Sequence, residues 1–189
     1  MKRLLILPAL FAATPAFAHL DPAAHGSFAA GFSHPVFGPD HILAMVAVGL
    51  WATVMGGRAR LVLPMAFVGT MSAGFALALA GMPLPMVEPM ILASVLLLGV
   101  LTALALPLPL GVAATITGAL ALFHGHAHGA EMGGATALSY LAGFALSTAF
   151  LHAAGVLGGI LLARFGGPML TRAAGVLVAL SGSALVLAG

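Results

Sequence analysis

The stretch PMILASVLLLGVLTALALPLPLGVAATITGALALFHGHAHGA, Pro89–Ala130, decides the fold. It contains no Asp, Glu, Lys or Arg. It is about twice the ~20 apolar residues that cross a bilayer, and Pro107-Leu108-Pro109 interrupts it near the middle. It therefore reads as two membrane helices, roughly 88–106 and 108–127. Outward from it the pattern repeats. Ile42–Gly57 and Leu61–Val87 are uncharged, Met132–Ala163 carries no charge, and Pro168–Leu187 carries Arg172 alone. The expected fold is an all-α membrane protein of six transmembrane helices, roughly 36–56, 61–82, 88–106, 108–127, 135–160 and 168–187. Long unbroken apolar runs exclude a barrel, whose strands alternate over about ten residues.

Composition gives the same class. Of 189 residues, 62% are hydrophobic and 5% charged, against about 25% charged in a soluble domain. Six Lys/Arg and four Asp/Glu cannot wet the surface of a soluble enzyme. A disordered chain has the opposite signature. The isoelectric point near 10.0 comes from scattered basic residues without a basic stripe, so no nucleic-acid partner is implied. There is no cysteine, which removes thiolate metal sites and cysteine nucleophiles.

The first eighteen residues read as a signal peptide: Lys2 and Arg3, an apolar Leu4–Phe11, then Pro15 before Ala16-Phe17-Ala18. Cleavage after Ala18 would leave a single domain, 19–189, beginning with His19 on the outer side. Arg58 and Arg60 then fall between the first and second helices, and Arg164 and Arg172 around the junction of the fifth and sixth. The positive-inside rule puts both places in the cytoplasm, giving N-out, C-out. The expected location is the bacterial inner membrane. On that topology His19, His25, His34, His41, His124, His126 and His128 and all four acids (Asp21, Asp40, Glu88, Glu131) gather at the outer face. His152 alone lies deep in a span.

Two motifs carry chemistry. In His34-Pro35-Val36-Phe37-Gly38-Pro39-Asp40-His41, Pro39 suits a first helical turn. Asp40 and His41 then open the first span, and the Pro/Gly-bent segment can fold His34 back toward them. Two imidazoles and a carboxylate suit Ni²⁺, Co²⁺ or Zn²⁺. Alone, Asp40 equally complements the helix dipole. The second motif is Phe123-His124-Gly125-His126-Ala127-His128-Gly129-Ala130-Glu131. As a helix it puts His124 and His128 on one face; extended, it points all three histidines the same way. The candidate ligands are His34, Asp40, His41, His124, His126, His128 and Glu131, with His19, Glu88 and His152 as weaker additions. An ionisable His152 at membrane depth is a functional candidate, with Thr148 one turn away as a partner; it equally serves as a hydrogen bond between helices. The stripe Ser139, Gly143, Ser147, Gly155, Gly159 reads as a close helix–helix contact. Met82, Met86 and Met90 are interrupted by prolines and read as packing.

The run His34–Ala52, with its His-Pro, Asp-His and Gly-Leu-Trp-Ala elements, and the run Phe123–Glu131 resemble the HupE/UreJ family of nickel and cobalt permeases. The likeness covers the whole layout, including the signal segment followed by His. It implies six membrane helices and secondary uptake of Ni²⁺ or Co²⁺, serving hydrogenase or urease maturation machinery indirectly. It also implies that His34, Asp40 and His41 are essential, and it groups His124, His126, His128 and Glu131. The expected function is a permease, not an enzyme. It has no prosthetic cofactor, and the divalent ion is its cargo. No Gly-x-x-x-x-Gly-Lys-[Ser/Thr] motif is present for ATP hydrolysis. Capture should weaken as imidazoles protonate below about pH 6.5. The competing readings are a histidine-box metal-dependent membrane enzyme and a metal sensor or buffer without flux. The sequence leaves open Ni²⁺ versus Co²⁺, the coupling ion and a homo-oligomeric state.

Overall fold

The computed structural model describes residues 26–106 and 108–188. The expected signal peptide, its cleavage point, His19, His25 and Asp21 lie outside the described residues. Among the described residues the chain forms α1 (Ser27–Phe37), α2 (Pro39–Met55), α3 (Ala59–Leu79), α4 (Val87–Leu104), α5 (Leu110–Glu131) and α6 (Ala137–Ala188), with no strand.

Three features depart from the expected spans. The first span does not begin near residue 36. Ser27–Phe37 is a helix of its own, and the chain bends by 81° at Gly38 before α2 begins at Pro39. Pro39 cannot donate an amide hydrogen, so it starts a helix rather than continuing one. Second, no loop separates the last two expected spans. Helical hydrogen bonding runs through α6 for 52 residues, broken in dihedral angle only at Gly167 (φ 69°, ψ −178°) before Pro168. Gly tolerates this φ, and Pro168 enforces the break. The limbs 137–166 and 168–188 are therefore separate rods. An unbroken helix of that length would extend about 78 Å, more than twice the ~30 Å hydrocarbon core. Third, α5 runs on to Glu131, so the whole second motif is helical.

α3, α4, α5 and α6 are each long and apolar enough to cross a membrane; the bent pair α1–α2 adds a fifth such unit. The outer surface fits lipid. Leu61, Met65, Leu138, Phe150, Leu157, Phe165, Met169, Leu177 and Leu187 are all exposed, an apolar extent that monomers in water rarely carry.

Packing is tight along two seams. α3 and α5 make the most extensive contact, and α6 lies against α1, α2 and α4. Gly125 lets α5 approach α3 backbone to backbone: a Cβ there would overlap the carbonyl of Met71. The small-residue stripe on α6 is a contact face, with Gly143 against Phe28 of α1 and Gly155 against Val46 of α2.

Candidate metal centre

Polar side chains inside an apolar bundle must find partners, because lipid offers none. Among the described residues, four of the five buried histidines, His34, His41, His124 and His128, gather at one end. His41 opens α2, and its Nδ1–H donates to Asp40 Oδ1 at 3.0 Å. A carboxylate only accepts, so this bond leaves the neutral ring with Nε2 as a lone pair. Nε2 is buried and makes no hydrogen bond to the protein.

The 81° bend lays α1 back over this point. His34, in the last turn of α1, lies with its ring 6.4 Å from that of His41 and 4.3 Å from that of His128. Its Nε2 is 3.6 Å from Glu131 Oε2. One ligand atom each from His34, His128 and Glu131 lie within 4.8 Å of one another. Donors around a single first-row ion stand about 3–4 Å apart, so these three are within reach of a shared ion. Two imidazoles and a carboxylate suit a borderline dication.

The helical register of α5 sorts the second motif. His124 and His128, four residues apart, face inward and are fully buried. The His41 ring stands 5.0 Å from that of His124 and 4.5 Å from that of His128. His126 points elsewhere: its Nε2–H donates to the Met82 carbonyl at 2.9 Å, in the α3–α4 connection. Glu88 is exposed in the first turn of α4 and is not among the clustered side chains. The structure thus brings together His34, Asp40, His41, His124, His128 and Glu131, and leaves out His126 and Glu88.

His152 lies deeper. Its partner is not Thr148, which donates to Met71 Sδ at 3.7 Å. The Nδ1–H of His152 donates to the Met45 carbonyl of α2 at 2.8 Å. Its Nε2 is buried and makes no hydrogen bond to the protein. Between His152 and the cluster stands Phe67 of α3, fully buried, 4.9 Å from the His152 ring and 5.4 Å from the His124 ring. On its other side His152 lines a cleft of about 780 Å³ that reaches Arg60. The walls of the cluster are aromatic: Phe144 packs on His128 at 4.1 Å, and Tyr140 stands 6.3 Å from His34.

Sequence reasoning missed Phe67, Tyr140 and Ser94. Ser94 carried a usable signal, as one of two hydroxyl residues, with Thr102, in a largely apolar helix. The aromatic residues carried none.

A family model described as "HupE / UreJ protein" matches residues 7–185. Protein HupE of Rhizobium leguminosarum bv. viciae is 46% identical over 183 residues, covering 95% of this chain and 94% of that protein. The chain belongs to the HupE/UreJ family. No solved structure shows a significant match. The HupE/UreJ match spans every element from α1 through most of α6, so both histidine motifs and the helices that join them lie within it.

Proposed function

We propose that this HupE/UreJ protein is a secondary permease that carries Ni²⁺ or Co²⁺ inward across the bacterial inner membrane, without hydrolysing ATP itself. One observation carries the reading. Residues of two distant motifs, on α1, α2 and α5, converge: His34, His41, His124 and His128 are buried together, and Glu131 stands exposed at their rim. His41 Nε2 and His124 Nδ1 are buried without a hydrogen bond to the protein; each such atom costs about 1–3 kcal/mol, and a dication that accepts both lone pairs offsets that cost. The cluster lies where an ion would exchange water ligands for imidazoles. His152, behind Phe67 and open to the cleft toward Arg60, is the next nitrogen inward.

The proposed topology has six crossings: the bent pair α1–α2, then α3, α4, α5 and the two limbs of α6. α2 runs away from the cluster, so Arg58 and Arg60 lie at the opposite end. Arg172 is at that end too, its Nε–H donating to Ala103 O near the close of α4 at 2.8 Å. Basic residues at one end and metal ligands at the other support N-out, C-out, with the cluster facing outward. A cleaved signal peptide before His19 accords with this orientation. The cargo would pass to the maturation of a nickel or cobalt enzyme.

The test is radiolabelled Ni²⁺ and Co²⁺ uptake in a transport-deficient bacterial host. Wild type should accumulate metal well beyond its own copy number, which separates flux from buffering. His41→Ala and His128→Ala should fall to background at equal membrane abundance. Equal accumulation by wild type and His41→Ala would sink the reading.

A further inference from the structure

Ser94 lies in the middle of α4, fully buried, and its hydroxyl has two hydrogen-bond contacts. Its Oγ is 2.6 Å from the Ile91 carbonyl and 2.9 Å from His124 Nε2. The carbonyl can only accept, and two oxygens approach this closely only with a proton between them. The single hydroxyl hydrogen therefore goes to Ile91, and the hydroxyl has only a lone pair to offer His124. Nε2 must then carry the imidazole proton and donate it. A neutral imidazole has one such proton, so Nδ1 of His124 is a bare lone pair. That nitrogen is buried and makes no hydrogen bond to the protein. It belongs to the ring that stands perpendicular to His41, whose available nitrogen is Nε2.

We propose that Ser94 is a positioning residue for metal binding. It fixes His124 in the Nε2–H tautomer, so that Nδ1 is its metal-ligating atom, paired with Nε2 of His41. This rests on the reading that the cluster binds the transported dication. Hydrogen-bond partners behind a ligating histidine set its tautomer and ring orientation, and their loss lowers metal affinity about 10–100-fold. A serine that only joined α4 to α5 would hold the helices together without governing which nitrogen binds.

Two measurements on the full-length protein in lipid nanodiscs test this. The first is ¹⁵N NMR of histidine-labelled, metal-free wild type, with the His124 signal assigned by its loss in His124→Asn. It should show the proton on Nε2; a proton on Nδ1 overturns the proposal, and the tautomer itself is read on the wild-type protein. The second is Co²⁺ titration followed by its visible ligand-field absorption. Ser94→Ala should bind about 10-fold or more weakly with shifted bands, and Ser94→Thr, which keeps the hydroxyl, should restore both. Wild-type affinity and spectrum in Ser94→Ala overturn the proposal. If wild type binds no Co²⁺ while His124 is protonated on Nε2, the proposed function fails and takes the ligand role with it, leaving only the hydrogen-bond assignment.

Discussion

The rings of His41 and His124 stand 5.0 Å apart between centroids at an interplanar angle of 89°. Each has one nitrogen held by a neighbour, Asp40 or Ser94, and the other unbonded within the protein. Two donors supplied to one ion act as a unit, so their losses should not add. His41→Ala and His124→Ala should each weaken Co²⁺ binding at least tenfold. The double variant should bind more tightly than the product of the two losses predicts, close to either single change. Equilibrium dialysis of the three proteins checks this; fully multiplicative losses would show that the two rings serve separate ions.

Asp40 holds His41 from behind. Its charge raises the basicity of the opposite nitrogen as well as fixing the ring. Asp40→Asn keeps an acceptor oxygen and loses the charge, whereas Asp40→Ala loses both. Metal affinity should therefore fall in the order wild type, Asp40→Asn, Asp40→Ala, with the asparagine variant down several-fold. An asparagine variant as weak as the alanine one would show that charge alone matters.

His126 is the internal control for the second motif. It bonds the Met82 carbonyl and lies off the inward face of α5. His126→Gln should leave metal uptake within about twofold of wild type, while His128→Gln abolishes it. Uptake measured side by side in the same host decides the point; a large loss in His126→Gln would place that residue on the ion's route.

Gly125 tests the scaffold beneath the ligands. An added methyl there meets the Met71 backbone, which cannot move aside as a side chain tip can. Overpacking of this kind costs about 1–3 kcal/mol, so Gly125→Ala should lower the thermal midpoint of the purified protein and its metal affinity together. Gly69→Ala, on α3 with nothing within 4 Å of the new methyl, should be neutral or slightly stabilising. Circular dichroism melts in detergent compare the two.

The sequence was informative wherever one residue's chemistry or one helix's period decided the outcome. Pro39 marked the start of α2 and so put Asp40 and His41 together in its first turn. The four-residue spacing of His124 and His128 was visible, and helix geometry then excluded His126 from their face. What stayed hidden depended on contacts between distant segments. That His34 meets His128 depends on how α1 packs on α6, with Gly143 of α6 against Phe28. The role of Ser94 exists only because α4 delivers it to His124, thirty positions away. The missing loop at Gly167 illustrates a different limit. A single residue with positive φ before a proline does the work for which arithmetic on apolar blocks had allotted a whole connection.

The bend at Gly38 has a consequence for how the protein is made. α1 and α2 leave the ribosome first, carrying His34, Asp40 and His41, while His124, His128 and Glu131 are still to be synthesised. α1 also needs the start of α6, where Thr136 N–H donates to Ser27 Oγ at 2.7 Å just before that helix begins. The histidine cluster is therefore completed late, after well over half of the chain has been made. A half-made chain holds only part of the proposed ligand set, so on the permease reading the nascent protein would lack the finished site's grip on metal.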